Sequence, residues 1–269
     1  MDLGLAGRIA LVTGASRGIG RAIAEALARE GCHLHIAARD EASLNAARDE
    51  MAARHGVRVV AHQADLAQRG APAALVAACG DCDILVNNAG AVPRGDILEL
   101  DEESWREGWE LKVFGYISMT RAMLARMAAR GAGVIVNVIG IGGEKLEYGY
   151  AAGSTGNAAL MAMTRTVGSG SVEHGVRVLG VNPGWVETDR ARHSLRRKAE
   201  LRFGDPERWR DLLGDWPRGR LIQPEEIADV VAFAASDRAS ALSGTVITAD
   251  AGFVARGYPL AKPHREGTA

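Results

Sequence analysis

Across 269 residues, 32 Lys and Arg balance 33 Asp and Glu to a formal net charge of -1, which gives no general reason to expect nucleic acid or an anionic membrane as a partner. No apolar run reaches membrane-spanning length and the N-terminus carries no leader pattern, so a cytoplasmic protein is expected. Hydrophobic residues reach 47% while aromatics stay at 5%, which suits helix–sheet layers built from Ala, Val, Leu and Ile.

In chain order, an apolar run at residues 9–12 is followed by Thr13-Gly14-Ala15-Ser16-Arg17-Gly18-Ile19-Gly20 and a helical pattern at 21–27. A second strand is expected at 32–38, ending at Arg39 and Asp40, then a helix at 41–54 stopped by Gly56. A third strand at 57–61 leads to Asp65 and Leu66; a helix at 72–78 and a fourth strand at 83–87 follow. Residues 101–130 have helical periodicity with a break expected near Trp109. Beyond them come a strand at 134–138, a long helix at 151–172, a strand at 176–181, a helix at 224–236 and a last strand at 245–249. A charged stretch at 189–217 reads as a loop-like flap, and the tail from about 253 as an irregular arm. Short strands alternating with helices, without repeats or linkers, predict one α/β domain over 1–269. Its core is a doubly wound parallel sheet of about seven strands with helices on both faces.

Strand, glycine-rich turn and helix in that order form a phosphate cradle. Glycines let the backbone approach a pyrophosphate, and the helix N-terminus offers unpaired N–H groups. The expected ligand is therefore a dinucleotide. Arg39 at the end of the second strand and Arg17 inside the turn could clamp a 2′-phosphate, which favours NADP. One residue of register would place Asp40 at the ribose instead, and NAD remains possible. Cys79 and Cys82 are spaced C-x-x-C, but no second cysteine or histidine pair lies nearby in sequence. No metal is expected, and the thiols read as ordinary ones in a reducing cytosol.

These residues resemble the short-chain dehydrogenase/reductase family over residues 5–252. The resemblance rests on the turn from Thr13 to Gly20, Asp65 after the third strand, Asn87-Asn88-Ala89-Gly90 after the fourth, Asn182-Pro183-Gly184 after the sixth, Thr188, and Pro224-Glu225-Glu226-Ile227-Ala228. It implies a Rossmann-type fold that holds the cofactor through Gly14, Ser16, Arg17, Gly18, Ile19 and Gly20. Asp65 and Leu66 would meet the adenine, Asn88, Ala89 and Gly90 would line the cofactor, and Pro183, Gly184, Val186 and Thr188 would hold the nicotinamide side. It also implies a homodimer or homotetramer formed through the long helices.

The family's catalytic Ser, Tyr, Lys and Asn are missing: their positions hold Gly140, Gly153, Asn157 and Lys112. Tyr150 stands seven positions before Asn157, on the same helical face, a spacing similar to that of the divergent enoyl-reductase branch. Tyr148 is a second candidate. Lysine at the asparagine position and asparagine at the lysine position is a reciprocal exchange, and it predicts a rearranged site of Tyr150, Lys112 and Asn157. Lowering a tyrosine pKa by about three units takes roughly 4 kcal/mol. A cation about 4 Å away at an effective dielectric near 20 supplies that much, and Lys112 is the expected source. The bland alternative has Lys112 solvated, Tyr150 packed and Asn157 a polar filler.

The implied reaction is hydride transfer between NADP and a carbonyl, alcohol or activated double bond. A catalytically inactive sensor or partner subunit is the other class that intact cofactor motifs beside missing catalytic ones would produce. The run Arg190, Arg192, Arg196, Arg197, Lys198 and Arg202 fits either an anionic or acyl-carrier-linked substrate or a solvated amphipathic helix. Trp209 and Trp216 would form the flap's apolar underside; Lys145 and Glu147 could reach substrate, and His174 and His193 read as surface residues.

Overall fold

A computed structural model describes residues 1–214 and 216–256. Strands β1 (Ile9–Thr13), β2 (His33–Ala38), β3 (Val59–Gln63), β4 (Ile84–Asn87), β5 (Gly133–Val138), β6 (Val176–Pro183) and β7 (Val246–Ala249) form one parallel sheet in the order β3-β2-β1-β4-β5-β6-β7. Alternation along the strands splits the core into two layers. Val12, Leu34, Ile36, Val86, Val136 and Val181 face α1 (Gly18–Arg29), α2 (Glu41–His55) and α8 (Pro224–Ala235). Leu11, Leu85, Ile135 and Val178 face the other way, toward α3 (Ala71–Cys79) and α5 (Gly115–Arg130), whose Met119, Met123 and Met127 recur every four residues. After β3 the chain crosses back to β4 beside β1, so strand order reverses there and opens a crevice at the carboxyl ends.

The expected break near Trp109 is a change of helix type. Between α4 (Glu102–Trp109) and α5, residues Glu110–Phe114 form a π turn that carries Lys112, closed by the Gly115 N–H to Glu110 O. The third strand begins two residues later than expected, because pairing with β2 runs from Leu34–Val59 to Ala38–Gln63. The flap is corrected more substantially. It is helix α7 (Asp189–Phe203), N-capped by the Thr188 hydroxyl and closed by Gly204 at φ 69°, followed by a 3-10 segment at Pro206–Leu213. Ala191, Leu195 and Ala199 make its one buried stripe, against Trp209, Leu213 and Leu221. The arm expected from about 253 begins in turns, and beyond Arg256 it lies outside the described residues.

Helix α6 (Ala151–Ser171) crosses β6 closely at Gly168, where a Cβ would sit 2.3 Å from Gly244 N and 2.4 Å from Val178 O. Both obstacles are backbone. Gly168→Ala is therefore expected to destabilise by at least about 1–3 kcal/mol through overpacking, lowering Tm by several degrees in a thermal melt, roughly 2–4 °C per kcal/mol. An unchanged Tm would mean that α6 does not lie this close to the sheet.

Candidate active site

The glycine-rich turn is built for close approach. Gly14 and Gly18 have φ of +67° and +59°, and a Cβ on Gly20 would stand 2.2 Å from Gly14 O. Thr13 joins this turn to the loop after β4: its Oγ1 accepts from Asn88 N (2.9 Å) and Ala89 N (3.1 Å) and donates to Val86 O (3.3 Å). Asn88 Nδ2 donates to Thr13 O (2.9 Å) and Gly14 O (3.3 Å). Helix α1 starts at Arg17 with no side-chain cap and no acid in its first turn, so its N–H groups are left for an anion. A pyrophosphate fits this donor set. Ser16 and Ile19 are half-buried on the turn, and Asp65 accepts from Ala67 N (3.2 Å) beside buried Leu66.

At the ribose end, Asp40 is occupied. It is the N-cap of α2, accepting from Ser43 N at 2.9 Å, and the Ser43 hydrogen bonds hold its carboxyl below the ordinary value. Arg17 and Arg39 are exposed and make no ion pair among the described residues.

A cavity of about 1000 Å³ follows the strand ends. Ile19, Arg39, Pro183, Gly184, Val186 and Thr188 line it together with Tyr150 and Asn157. The Tyr150 ring occupies the space in front of Gly153, where a Cβ would be 2.0 Å from Tyr150 Cζ. Asn157 Nδ2 and Tyr150 Cε1 meet at Gly142, 3.1 and 3.2 Å from a Cβ placed there. Neither the Tyr150 hydroxyl nor the Asn157 amide has a hydrogen-bond partner among the described residues, although Asn157 is only 5% exposed. Tyr148, by contrast, is 73% exposed.

Lys112 is placed differently from the expectation. Its Nζ donates to Tyr116 Oη (2.9 Å), Val138 O (2.8 Å) and Ile139 O (3.1 Å), while Tyr116 Oη donates to Val138 O (2.7 Å). The cations that face Tyr150 are Arg94, 4.6 Å from the ring centroid, and Arg190. Burial raises the Tyr150 pKa; the Arg94 and Arg190 guanidiniums oppose the rise, and the Glu147 carboxylate paired with Arg94 adds to it. Burial without a carboxylate, aided by Arg190, pulls Lys112 down to about 7, whereas three oxygen acceptors favour its ammonium form.

Sequence motifs gave no sign of Arg94, which sits in the loop after β4, pairs with Glu147 at 2.5 Å and lies 5.5 Å from the Trp185 ring centroid. Lys145, Glu147 and His193 line the cavity. The basic run divides: Arg192 and Arg196 pair with acids, while Arg190 and Arg197 line the cavity without an ion pair among the described residues. The sheet also corrects one expectation about the cysteines. His35 and His62, on adjacent strands, come to Cys79.

A switch-point phosphate cradle opening onto a cavity with an available tyrosine defines a dinucleotide-binding enzyme of the doubly wound class. Over residues 14–254 the chain matches the family model described as enoyl-(acyl carrier protein) reductase. It is 36% identical over 251 residues to galactitol 2-dehydrogenase (L-tagatose-forming) of Cereibacter sphaeroides, covering 93% of this chain and 96% of that protein. It is 32% identical over 256 residues to L-xylulose reductase of Bos taurus, covering 95% and 100%. L-sorbose reductase of Gluconobacter frateurii, solved with NADPH and L-sorbose, superimposes with a TM-score of 0.89 at 31% identity, covering 96% and 100%. The chain belongs to the short-chain dehydrogenase/reductase family of NAD(P)-dependent oxidoreductases.

The buried lysine has a measurable signature. Its pKa falls from 10.5 to about 7, so between those values the unfolded chain binds the extra proton and stability rises with pH. Below about pH 7 the full penalty is present, on the order of 4–5 kcal/mol. Denaturant melts of wild type and Lys112→Met are expected to diverge in favour of wild type by a few kcal/mol from pH 6 to pH 10; a difference independent of pH would contradict this burial.

Proposed function

We propose that the protein is an NADP(H)-dependent oxidoreductase that reduces a carbonyl on a small molecule, with Tyr150 as proton donor and Asn157 beside it. The observation that carries this reading is the unpartnered Tyr150 hydroxyl on the cavity wall, its ring seated where Gly153 leaves space. The hydroxyl reaches the cavity with no described protein group bonded to it, which leaves it available to a ligand. NADPH, when bound, supplies the hydride to the carbonyl carbon.

The chain supplies the proton. The Tyr150 O–H bond breaks as the new O–H bond of the alcohol forms, and the tyrosinate regains its proton from solvent. Arg94 and Arg190 stabilise the transient anion. Burial raises the Tyr150 pKa and so favours the protonated phenol, the form that donates. Lys112 is a positioning residue, gripping the Val138 and Ile139 carbonyls that lead into Gly140.

Arg17 and Arg39, exposed and outside any ion pair among the described residues, support NADP, with Asp40 capping α2 and feeling the Arg17 charge. Relatives named for galactitol, L-xylulose and L-sorbose support the carbonyl–alcohol couple over an activated double bond. Arg190 and Arg197, outside any ion pair among the described residues, and Lys145, whose ammonium sits over the Phe253 ring, line the wall and favour an anionic group on the substrate, free or carrier-linked. Exposed Phe114 and Ile117 favour assembly of the single domain, in the cytoplasm, as a homodimer or homotetramer. The glycines at the family's serine and tyrosine positions favour a second reading, a cofactor-binding sensor without turnover.

Steady NADPH oxidation across a panel of ketoses and keto acids decides between the two. Tyr150→Phe is expected to lower kcat by about 10²–10⁴ while NADPH affinity stays unchanged; full activity in this variant would remove the tyrosine from the chemistry. Arg17→Ala and Arg39→Ala are each expected to weaken NADPH binding about tenfold, near 1.4 kcal/mol, and to leave NADH binding alone. Equal loss for both cofactors would place these side chains elsewhere than at a 2′-phosphate.

A further inference from the structure

On the α3 side of the sheet, away from the cavity, three metal-ligating side chains converge from three elements. His35 lies on β2 and His62 on β3, and the parallel register pairs Ala37 with His62 and His35 with Val60, so both imidazoles project from one face two rungs apart. Cys79 closes α3 beneath them. One ligating atom from each lies within 4.8 Å of the others.

His35 Nδ1 and His62 Nε2 are 2.7 Å apart, and Cys79 Sγ is 3.6 Å from His62 Nε2. The rings are inclined by 23° with centroids 5.0 Å apart, a separation that fits two rings meeting nitrogen to nitrogen. A tetrahedral zinc site with metal–nitrogen bonds near 2.05 Å and metal–sulfur near 2.3 Å has edges of about 3.3 Å between nitrogens and about 3.6 Å between nitrogen and sulfur. The observed nitrogen–sulfur separation already matches, and the nitrogen pair must open by about 0.6 Å. Leu75, Val76 and Leu85 pack in the same layer, with Cys82 hydrogen-bonded to Cys79 and the Arg58 guanidinium acting on His35. Cys79 Sγ lies at hydrogen-bond distance from His62 Nε2 and shares a second hydrogen bond with Cys82, so the thiol faces the imidazole pair from the end of α3.

We propose that His35, His62 and Cys79 bind a zinc-type, borderline-soft divalent cation, with a solvent molecule in the fourth position. Binding transfers the Cys79 thiol proton to solvent as the metal–thiolate bond forms. It also moves the proton shared by the facing nitrogens to the far nitrogen of one ring, so that both lone pairs are free; no electron is transferred. Desolvation lowers both imidazole pKa values, so the rings arrive neutral. Such an ion would tie the edge strand β3 to its neighbour and to α3, close to where the chain turns toward Asp65 and Leu66.

The test uses the full chain, reduced and freed of metal with a chelator, then titrated with Co(II) and back-titrated with Zn(II). The expected result is about one Co(II) per chain with a thiolate-to-cobalt charge-transfer band in the near ultraviolet, abolished by Zn(II). Cys32 does not supply that band: its Sγ–H donates to Leu5 O at 3.3 Å within the core layer on the other face of the sheet. Cys79→Ser and His62→Asn should each weaken binding by at least the 10–100-fold that even supporting residues of metal sites contribute, whereas Cys82→Ser should keep the band. Circular dichroism checks that each variant is folded, and the wild-type spectrum stands by itself if His62→Asn is not. Absence of the band in wild type, or its survival in folded Cys79→Ser, overturns the proposal.

Discussion

The seam between β1 and β4 is the constraint on which the site depends. Thr13 Oγ1 is shared by three backbone groups of the facing loop, and a Cβ on Gly14 would stand 2.9 Å from Ala89 Cα. Backbone meets backbone there because the side chains are absent or serve as the bonds. The same loop then runs on to Gly95, whose N–H donates to Gly149 O and whose carbonyl accepts from Ala151 N. It thus carries Arg94 over Tyr150 and straps the start of α6. One stretch of chain, 88–95, connects the phosphate cradle to the tyrosine.

The exchange of catalytic residues is packed into the fold. Each rearranged side chain occupies space that a glycine gives up. A Cβ on Gly153 would enter the Tyr150 ring, one on Gly90 would sit 2.4 Å from Lys112 Cδ, and one on Gly142 would press on both Asn157 and Tyr150. Of these three glycines only Gly153 stands where the family has a catalytic side chain, and a side chain restored there would expel the Tyr150 ring; Gly90 belongs to the motif the chain shares with the family. The lysine meanwhile changes its work. Held by two carbonyls and a tyrosine at the end of β5, it fixes the wall of the cavity instead of facing Tyr150.

The sheet and its order were legible because short apolar runs alternating with helical periods leave few parallel topologies. The π turn was half-legible: the break near Trp109 showed, but its helix type depends on the closing bond at Gly115. α7 read as a loop because charge dominates its sequence, although Ala191, Leu195 and Ala199 at intervals of four were its visible signal. The cofactor residues followed from motif and position. Arg94 and the His35–His62–Cys79 group did not, since each is assembled across elements by strand register and loop path, which no local spacing records.

Where the activating charge sits also decides how it behaves. An amine buried as Lys112 is can lose its proton near neutrality, and its field would then switch off with pH. A guanidinium keeps its charge throughout that range, and Arg94 stacks on the Tyr150 ring itself. Arg190 opposes the burial-driven rise at Tyr150 and Tyr116 and adds to the burial-driven fall at Lys112, within one wall. On the proposed reading, Tyr150 has guanidinium charge beside it that does not depend on Lys112, while Lys112 anchors the strand end and Asn157 presents an amide to the cavity.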